Sequence, residues 1–282
     1  MTGTVVVGAE GTSSSRDALM WAAEYAAERG MILELVHATG FPSMAIEMYD
    51  DAVRHGAEHL LDAERSRATS AFPELETRMT VDHRGPAVAL LERSEEADLV
   101  VVGSHRLGAF ERMFSGSLSY QIASAAQCPV AVVPRTAGPG AHGVVVGCDG
   151  SEDSLAAIAF AAEEAERLGE DLTVVLAWQE PAMYTSADYF AADIASSLQE
   201  QSRLVLAESV AGLATAHPDL VVHRRLERGQ PAAVLVEAGT TARLVVVGSR
   251  GRTGIARVLL GSVSHTVLLN ATGPVVVVRA GE

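Results

Sequence analysis

Glycines and small hydroxyl residues follow an apolar run near residue 250, in a spacing that suits the binding of an anion. Gly248 and Gly251 are separated by two residues, and nine more lead to Gly261-Ser262 and then to Ser264. Glycines let a backbone turn sharply and approach a ligand without a Cβ in the way. Gly261-Ser262 is predicted to open a helix, whose free N–H groups and dipole attract a phosphate, and the serine hydroxyls can add hydrogen bonds. The spacing predicts a phosphate-binding loop that is neither the GxGxxG fingerprint nor a P-loop, since no GK[ST] follows.

Positive charge accompanies this loop, but the groups that phosphoryl transfer needs do not. Arg250, Arg252 and Arg257 lie in an otherwise acidic chain, whereas the segment from Gly248 to Ser264 contains no Asp, Glu, His or Lys. Phosphoryl transfer needs a carboxylate to hold the metal and a positioned base or nucleophile. We therefore expect binding without efficient turnover, and we keep an ATPase or a nucleotidyl-transfer enzyme as the alternative.

A similar segment in the first half of the chain departs from this pattern at one glycine. It begins at Gly103 and ends with Gly116-Ser117-Leu118-Ser119, so that Arg106 stands where Gly251 stands in the second loop. An arginine loses the permissive backbone of glycine, although its guanidinium can pair with a phosphate. We expect both loops to bind, and the second to bind more tightly.

The two loops belong to an internal repeat that covers the whole chain. The run Val5-Val6-Val7-Gly8 returns as Val144-Val145-Val146-Gly147, and Leu99–Gly103 returns as Leu244–Gly248. Such self-similarity indicates two copies of one domain. The segment 136–142, which contains glycine and proline, predicts a linker. We therefore expect one domain at 1–135 and a second at 143–282.

Each copy alternates short apolar runs with helical patterns, which predicts a parallel, doubly wound α/β sheet. The third run alternates polar and apolar residues, as in an outer strand. Pro86 and Pro231 mark helix starts, where proline is best tolerated. Ligands bind such sheets beyond the carboxyl ends of the strands at which the strand order reverses. The ends of the first and fourth strands are thus the expected binding edge.

The first helix of the second copy has clear end signals. Ser151 is predicted to cap its start, and Gly169 its end. Trp21 and Phe160 occupy equivalent positions in the two copies and are expected in the core. The apolar residues at helical spacing are expected to form the buried stripe of this helix: Leu155, Ile158, Ala159 and Ala162.

Three motifs together resemble the ATP-binding class of the universal stress protein family. They are the loop described above, Val-Gly-Cys-Asp-Gly-Ser at 146–151, and Gly-Gln-Pro-Ala at 229–232. The resemblance extends over the whole chain as two tandem copies. It implies two Rossmann-like (HUP-type) α/β domains, each with a five-stranded parallel sheet flanked by helices. ATP, accompanied by Mg²⁺, would lie between the ends of the first and fourth strands.

The resemblance also implies which residues meet the nucleotide. Asp149 would hydrogen-bond the ribose, and Ala177 would contact the adenine. The remaining binding residues implied in the second copy are Gly147, Gly248, Arg250, Gly251, Gly261, Ser262, Val263 and Ser264. The corresponding residues in the first copy are Gly8, Glu10, Ala38, Gly103, His105, Arg106, Gly116, Ser117, Leu118 and Ser119. Glu10 stands in place of Asp149 and can still accept from a ribose hydroxyl, through a longer side chain.

Composition and charge argue against several other classes of protein. A formal net charge of −15 disfavours a nucleic-acid binder, which needs a basic surface. No apolar run approaches the roughly 18 residues that cross a bilayer, and the N-terminus lacks the basic region of a signal peptide. Cys128 and Cys148, without CxxC spacing, suit a reducing cytoplasm rather than a disulfide framework. His55 and His59 share a helix face, but without a third ligand they predict a polar surface and no metal.

The leading hypothesis is an ATP-binding regulatory protein of the stress response, whose nucleotide occupancy alters conformation or partner choice. Cyclic AMP would use the same pocket, and a pure interaction module with empty pockets is a further alternative. The resemblance implies that the fifth strands of the two domains pair in an intramolecular pseudo-dimer. A homodimer of whole chains and the identity of protein partners stay open.

Overall fold

The computed structural model describes residues 3–40, 43–104, 118–134, 138, 140–179, 188–251 and 260–281, with the backbone alone for 43–50 and 188–194. The chain divides into two compact units, Met1–Thr136 and Ala137–Glu282. No helix within the described ranges is both long enough and apolar enough to cross a membrane.

Strands and helices alternate along the first unit. Its sheet has the strand order β3-β2-β1-β4-β5, and the neighbouring strands are parallel. The elements are β1 Thr4–Gly8, α1 Ser13–Arg29, β2 Ile32–Ala38, α2 Ser43–Ala71, β3 Thr77–Asp82, α3 Pro86–Arg93, β4 Leu99–Gly103, α4 Leu118–Ala125 and β5 Val130–Val133.

The second unit repeats this topology, with the strand order β8-β7-β6-β9-β10, again with parallel neighbours. One short helix, α7, is added before its third strand. The elements are β6 Val144–Gly147, α5 Glu152–Leu168, β7 Leu172–Trp178, α6 Asp188–Ser209, α7 Leu213–Ala216, β8 Val222–Arg228, α8 Pro231–Ala238, β9 Leu244–Gly248, α9 Ser262–Asn270 and β10 Val275–Val278.

The parallel α/β fold predicted from the sequence is confirmed, and so is the outer position of the third strand. The strand order reverses beside the first strand of each unit, because β1 pairs with both β2 and β4, and β6 with both β7 and β9. The predicted binding edge therefore lies at the carboxyl ends of β1 and β4, and of β6 and β9. Pro86 and Pro231 begin α3 and α8 as predicted.

The ends of α5 follow the sequence signals, and its buried face follows them in part. The Ser151 hydroxyl accepts a hydrogen bond from the Ser154 N–H at 3.2 Å, and Gly169 closes the helix in the left-handed conformation. Leu155, predicted in the buried stripe, is 44% exposed, and Ala159 is also exposed. Ile158 and Ala162 of the predicted stripe are buried, together with Asp153, Ser154, Ala157, Ala161, Glu164 and Ala165. Most of these side chains are small, which lets the helix lie close to the sheet.

Trp21 and Phe160, also expected in the core, are both partly exposed. Trp21 stacks on Tyr25, with ring centroids 5.3 Å apart, and the Arg29 guanidinium lies 3.3 Å from the centre of the Tyr25 ring. The Trp21 ring therefore lies along the surface of α1, where it packs on Tyr25 one turn further along the helix.

Only glycine fits at the end of the fourth strand in each unit. A Cβ on Gly103 would lie 2.6 Å from the Ser14 carbonyl oxygen, and a Cβ on Gly248 would lie 2.9 Å from the Asp153 carbonyl carbon. These contacts are with backbone, which cannot swing aside as a flexible side chain can. The first turns of α1 and α5 can therefore lie this close to the strand only because glycine has no side chain.

Gly103→Ala should destabilise the first unit by about 1–3 kcal/mol, because the new methyl group overlaps the backbone of α1. Gly56→Ala is the matched control in the same unit. Gly56 is exposed within α2, and a Cβ added there would meet no described atom within 4 Å, so alanine should add about 0.5–1 kcal/mol of stability. Urea unfolding followed by circular dichroism measures both. If the two variants were equally stable, the close approach of Gly103 to the backbone of α1 would be contradicted.

A buried carboxylate joins β3 to α3 in the first unit. Asp82, 6% exposed, accepts hydrogen bonds from Arg84 Nη2 at 2.8 Å and from Arg93 Nη1 at 3.1 Å. Arg93 Nε also donates to Glu34 of β2 at 3.2 Å. The hydrogen bonds from Arg84, assisted by Arg93, hold the pKa of Asp82 well below its ordinary value despite its burial.

This lowered pKa predicts a loss of stability in acid. Because the folded pKa of Asp82 lies below the unfolded value of about 3.9, its contribution is complete above that value and is lost as the pH falls below it. Asp82→Asn should therefore lower the free energy of unfolding more at pH ~7 than at pH ~3. Asp51→Asn, at an exposed position in α2, is the control and should show little difference. Urea unfolding at the two pH values tests this, and equal losses for Asp82→Asn would refute it.

Candidate functional site

The predicted binding residues fall largely within the described part of the chain. In the second unit all of them are described, whereas Arg252 and Arg257 lie outside the described residues. In the first unit Gly8, Glu10, Ala38, Gly103, Leu118 and Ser119 are described. His105, Arg106, Gly116 and Ser117 lie outside the described residues, and their predicted contacts stay predictions.

The two ends of the loop after β9 meet. The Gly261 N–H donates to the Ser249 carbonyl at 2.8 Å, and the Ser264 hydroxyl donates to the Gly248 carbonyl at 2.5 Å. Ser264 is buried, and its hydroxyl proton is used inside the protein. The backbone N–H of Ser264, rather than its hydroxyl, is therefore the group that can donate to an anion.

Helix α9 begins at this junction without a side-chain cap. Gly261 is the N-cap residue. Its backbone is extended, and as a glycine it has no side chain that could cap the helix. The first intrahelical bond runs from the His265 N–H to the Gly261 carbonyl at 2.9 Å. The N–H groups of Ser262, Val263 and Ser264 therefore precede the intrahelical ladder, at the positive end of the helix dipole. Such a terminus can hold a phosphate or another anion.

Asp149 lies against this loop from the end of β6. Its Oδ1 accepts from the Ser151 N–H at 2.9 Å and from the Ser151 hydroxyl at 2.5 Å. A Cβ on Gly251 would lie 2.5 Å from the other carboxylate oxygen, Oδ2. The Asp149 side chain lies close to Gly251, which brings the carboxylate that is predicted to bind the ribose next to the predicted phosphate loop.

Gly147 and Ala177 line the same edge of the sheet. Gly147 is the last residue of β6, and a Cβ there would lie 2.9 Å from Cδ1 of Leu235 in α8. The next residue, Cys148, donates its N–H to the Val175 carbonyl at 2.8 Å, which joins β6 to β7 near Ala177. Burial raises the pKa of the Cys148 thiol, so this thiol stays protonated near neutral pH and is a poor nucleophile.

Asp153 is a residue at this edge whose contacts the sequence did not reveal. Its carboxylate accepts from the Ser249 hydroxyl at 2.6 Å and from the Arg250 N–H at 3.0 Å. Arg250 Nε also lies 3.4 Å away. Burial raises its pKa, but the Ser249 and Ala280 hydrogen bonds and the Arg250 charge outweigh burial and lower it overall. The one signal available was a difference between the copies, since Ser14 stands at the equivalent position.

The described part of the first unit repeats the arrangement at the end of β1. The Ala9 N–H donates to the Val36 carbonyl at 2.8 Å, and the Glu10 N–H donates to the Ser15 hydroxyl at 3.4 Å. The equivalent Asp149 N–H donates to the Ser154 hydroxyl at the same distance. A difference lies at His37, whose Nδ1–H donates to the Ala9 carbonyl at 2.7 Å. Ala38 follows it, and Leu118 and Ser119 begin α4.

The described residues offer backbone N–H groups and hydroxyls rather than a metal centre. Within them, no cluster of three or more His, Cys, Asp or Glu side chains is arranged to hold a metal ion. The backbone N–H groups at the start of α9 can bind an anion, and the Asp149 carboxylate can accept hydrogen bonds from hydroxyl groups.

Comparison with known proteins agrees with this architecture. The model of the universal stress protein family matches the chain twice, at residues 1–134 and 141–279. A solved structure of a universal stress protein from Archaeoglobus fulgidus superposes with a TM-score of 0.72 at 19% identity, covering 99% of this chain and 97% of that one. This structure shares the fold.

Two mycobacterial relatives are similar along nearly their whole length. A universal stress protein of Mycobacterium tuberculosis is 35% identical over 291 residues, which covers 98% of this chain and 96% of the relative. One from Mycolicibacterium smegmatis is 34% identical over 293 residues, with the same coverage. The chain therefore belongs to the universal stress protein family, of which it contains two tandem domains.

Proposed function

We propose that this protein binds an adenine nucleotide, ATP first of all, in each of its two units. The observation that carries the proposal is the convergence of Asp149, Gly251 and the uncapped start of α9 at the strand-order reversal of the second unit. A carboxylate that can accept from ribose hydroxyls stands beside N–H groups that can hold phosphates. Each type of group suits one part of a nucleotide.

The roles in the second unit follow from the positions of these groups. Asp149 accepts from the ribose, and the backbone at Ala177 borders the adenine. Gly248 and Gly251 keep the backbone close, and the N–H groups of the first turn of α9 hold the phosphates. Arg250, 32% exposed at its side chain, supplies positive charge. In the first unit Glu10, Ala38, Ser119 and the undescribed loop take the same roles.

Binding, rather than catalysis, is the activity that the residue types favour. The loop from Gly248 to Ser264 has no carboxylate, histidine or lysine of its own. Of the carboxylates beside it, Asp153 accepts hydrogen bonds from Ser249, Arg250 and Ala280, and Asp149 is assigned to the ribose, so any Mg²⁺ would arrive with the ATP phosphates. Nucleotide occupancy would then alter conformation or partner choice during stress, in the cytoplasm. The alternative is a slow ATPase or a nucleotidyl-transfer enzyme, which a turnover number within the ordinary range of about 1–1000 s⁻¹ would favour.

Cyclic AMP is the second candidate ligand, because the same ribose and phosphate groups would meet it. ATP is preferred because the α9 start and Arg250 offer more donors than one cyclic phosphate uses. Pairing of the fifth strands in a pseudo-dimer, and a homodimer of whole chains, remain predictions.

Gly261→Asp should weaken ATP binding to the second site by at least about tenfold, because a carboxylate at the start of α9 repels the phosphates. Gly116→Asp should act on the first site in the same way. Gly212→Asp is the matched control, since it adds the same charge to the second unit at an exposed glycine where a Cβ would meet no described atom within 4 Å. Isothermal titration with ATP measures the number of sites and their affinities.

Parent protein that gives a flat titration at millimolar ATP would refute the proposed function. Normal binding by both Gly261→Asp and Gly116→Asp would show that the nucleotide binds elsewhere.

A further inference from the structure

Asp153 joins three segments of the second unit that are distant in sequence. It lies in the first turn of α5, and Oδ2 of its carboxylate receives the Ser249 hydroxyl and the Arg250 N–H from the loop after β9. Its Oδ1 receives the Ala280 N–H at 3.0 Å, just beyond β10. The side chain is buried, with 6% of the residue exposed. Both carboxylate oxygens of Asp153 accept hydrogen bonds here. An amide or a hydroxyl side chain does not offer two acceptor oxygens.

The rest of the loop backbone at this point already has partners. The Ser249 N–H donates to the Val278 carbonyl at 2.7 Å, and the Ser249 carbonyl accepts from Gly261. The Ser151 hydroxyl, which donates its proton to Asp149 Oδ1 at 2.5 Å, also lies 3.4 Å from the Arg250 carbonyl oxygen. Asp153 supplies the acceptor for the Arg250 N–H and thereby fixes the Ser249–Arg250 peptide, one residue before Gly251.

This anchoring has a direct consequence for the loop. Gly251 lies close to the Asp149 carboxylate, where an added Cβ would meet it, while Asp153 holds the preceding Arg250 N–H by a hydrogen bond. A loop held in advance loses less conformational freedom when it closes on a ligand, which increases affinity. The negative charge of Asp153 is offset by Arg250, whose Nε lies 3.4 Å from Oδ2.

The first unit has a serine instead of a carboxylate at the equivalent position. Gly103 contacts the backbone of Ser14 and Ser15 in the way that Gly248 contacts the backbone of Asp153 and Ser154. Ser14 is therefore the structural counterpart of Asp153. Its hydroxyl lies 3.4 Å from the Thr12 hydroxyl, and no carboxylate stands in its place.

We propose that Asp153 is a positioning residue of the second nucleotide site, which holds Ser249 and Arg250 where the loop meets the phosphates. In the first unit Ser14 occupies the equivalent position, and the lack of a carboxylate there makes the first site the weaker of the two. The inference rests on the proposed function and adds to it the residue that sets the difference between the sites. Asp153 acts through the loop and does not itself touch the ligand, so its effect depends on the phosphates rather than on the nucleoside.

Hydrogen exchange with mass spectrometry tests this on the full-length protein, site by site. Without nucleotide, Asp153→Asn should speed exchange in the peptide that covers Ser249 to Gly251. With increasing ATP, the concentration that half-protects the first turn of α9 should rise about tenfold or more, as loss of hydrogen bonds to a charged group implies. Adenosine has no phosphate to protect α9, so its binding is followed in the peptide that covers Cys148 to Ser151, where the half-protecting concentration should change less than about threefold.

Three further variants complete the experiment. Asp153→Ser, which introduces the residue of the first unit, should behave like Asp153→Asn. Glu152→Gln, which removes the same charge from the adjacent exposed residue, should leave the loop exchange unchanged and should not weaken ATP binding. Should both Asp153 variants lose their cooperative melting by circular dichroism, Ser249→Ala is measured instead. It removes one hydrogen bond from the carboxylate and should weaken ATP binding about threefold.

The outcomes separate this inference from the proposed function. If ATP protects α9 in the parent but Asp153→Asn, or Ser249→Ala in its place, leaves loop exchange or the ATP concentration unchanged, the positioning role is refuted and the nucleotide site stands. Equal losses for ATP and adenosine would also refute it, because they indicate general damage. If ATP fails to protect α9 in the parent, the proposed function fails and this inference fails with it.

Discussion

The close contact between the first helix of each unit and the glycine that ends its fourth strand is the constraint on which the site depends. At Gly248 a Cβ would lie 3.0 Å from both the Asp153 carbonyl oxygen and the Ser154 nitrogen, and Gly103 has the same relation to Ser14 and Ser15. This contact sets where the first turn of the helix lies beside the sheet edge. It brings Asp153 within hydrogen-bonding distance of the loop and Asp149 against Gly251. A larger residue at either glycine would separate the parts of the site before any ligand arrived.

The two units share this frame and differ in the charges that surround it. The second unit has Asp149 and Asp153 around a loop that contains Gly251, whereas the first has Glu10 and Ser14 at the equivalent positions and Arg106 in its loop. The first unit also has a cluster of Asp82, Arg84 and Arg93 between β3 and α3, in which the carboxylate is buried and the Arg84 side chain is exposed. Duplication has thus preserved the backbone architecture, while the side chains around each binding edge have diverged. Two sites of unequal affinity are the expected result.

Short-range signals predicted most of the fold. The apolar strand runs, the proline helix starts, and the Ser151 and Gly169 caps depend on residues a few positions apart, and the structure bears them out. The buried stripe predicted for α5 was right at Ile158 and Ala162 and wrong at Leu155 and Ala159, because an alanine-rich helix offers two stripes one position apart and hydrophobicity favoured the one with Leu155. The contacts of Asp153 could not be foreseen, since its partners lie 96 to 127 residues away along the chain. The inward hydrogen bond of Ser264 depends likewise on the way the loop returns to Gly248.

The central claim is that the purified protein recognises an adenine nucleotide, and the small molecules it retains test this most directly. Protein purified without added nucleotide is denatured, and the released compounds are identified and counted by mass spectrometry. The account predicts ATP, or its hydrolysis product ADP, in a molar amount comparable to the protein and lower in Gly261→Asp than in the parent. An equal and negligible amount of every adenine nucleotide in both proteins, before and after soaking in ATP and rapid desalting, would contradict it.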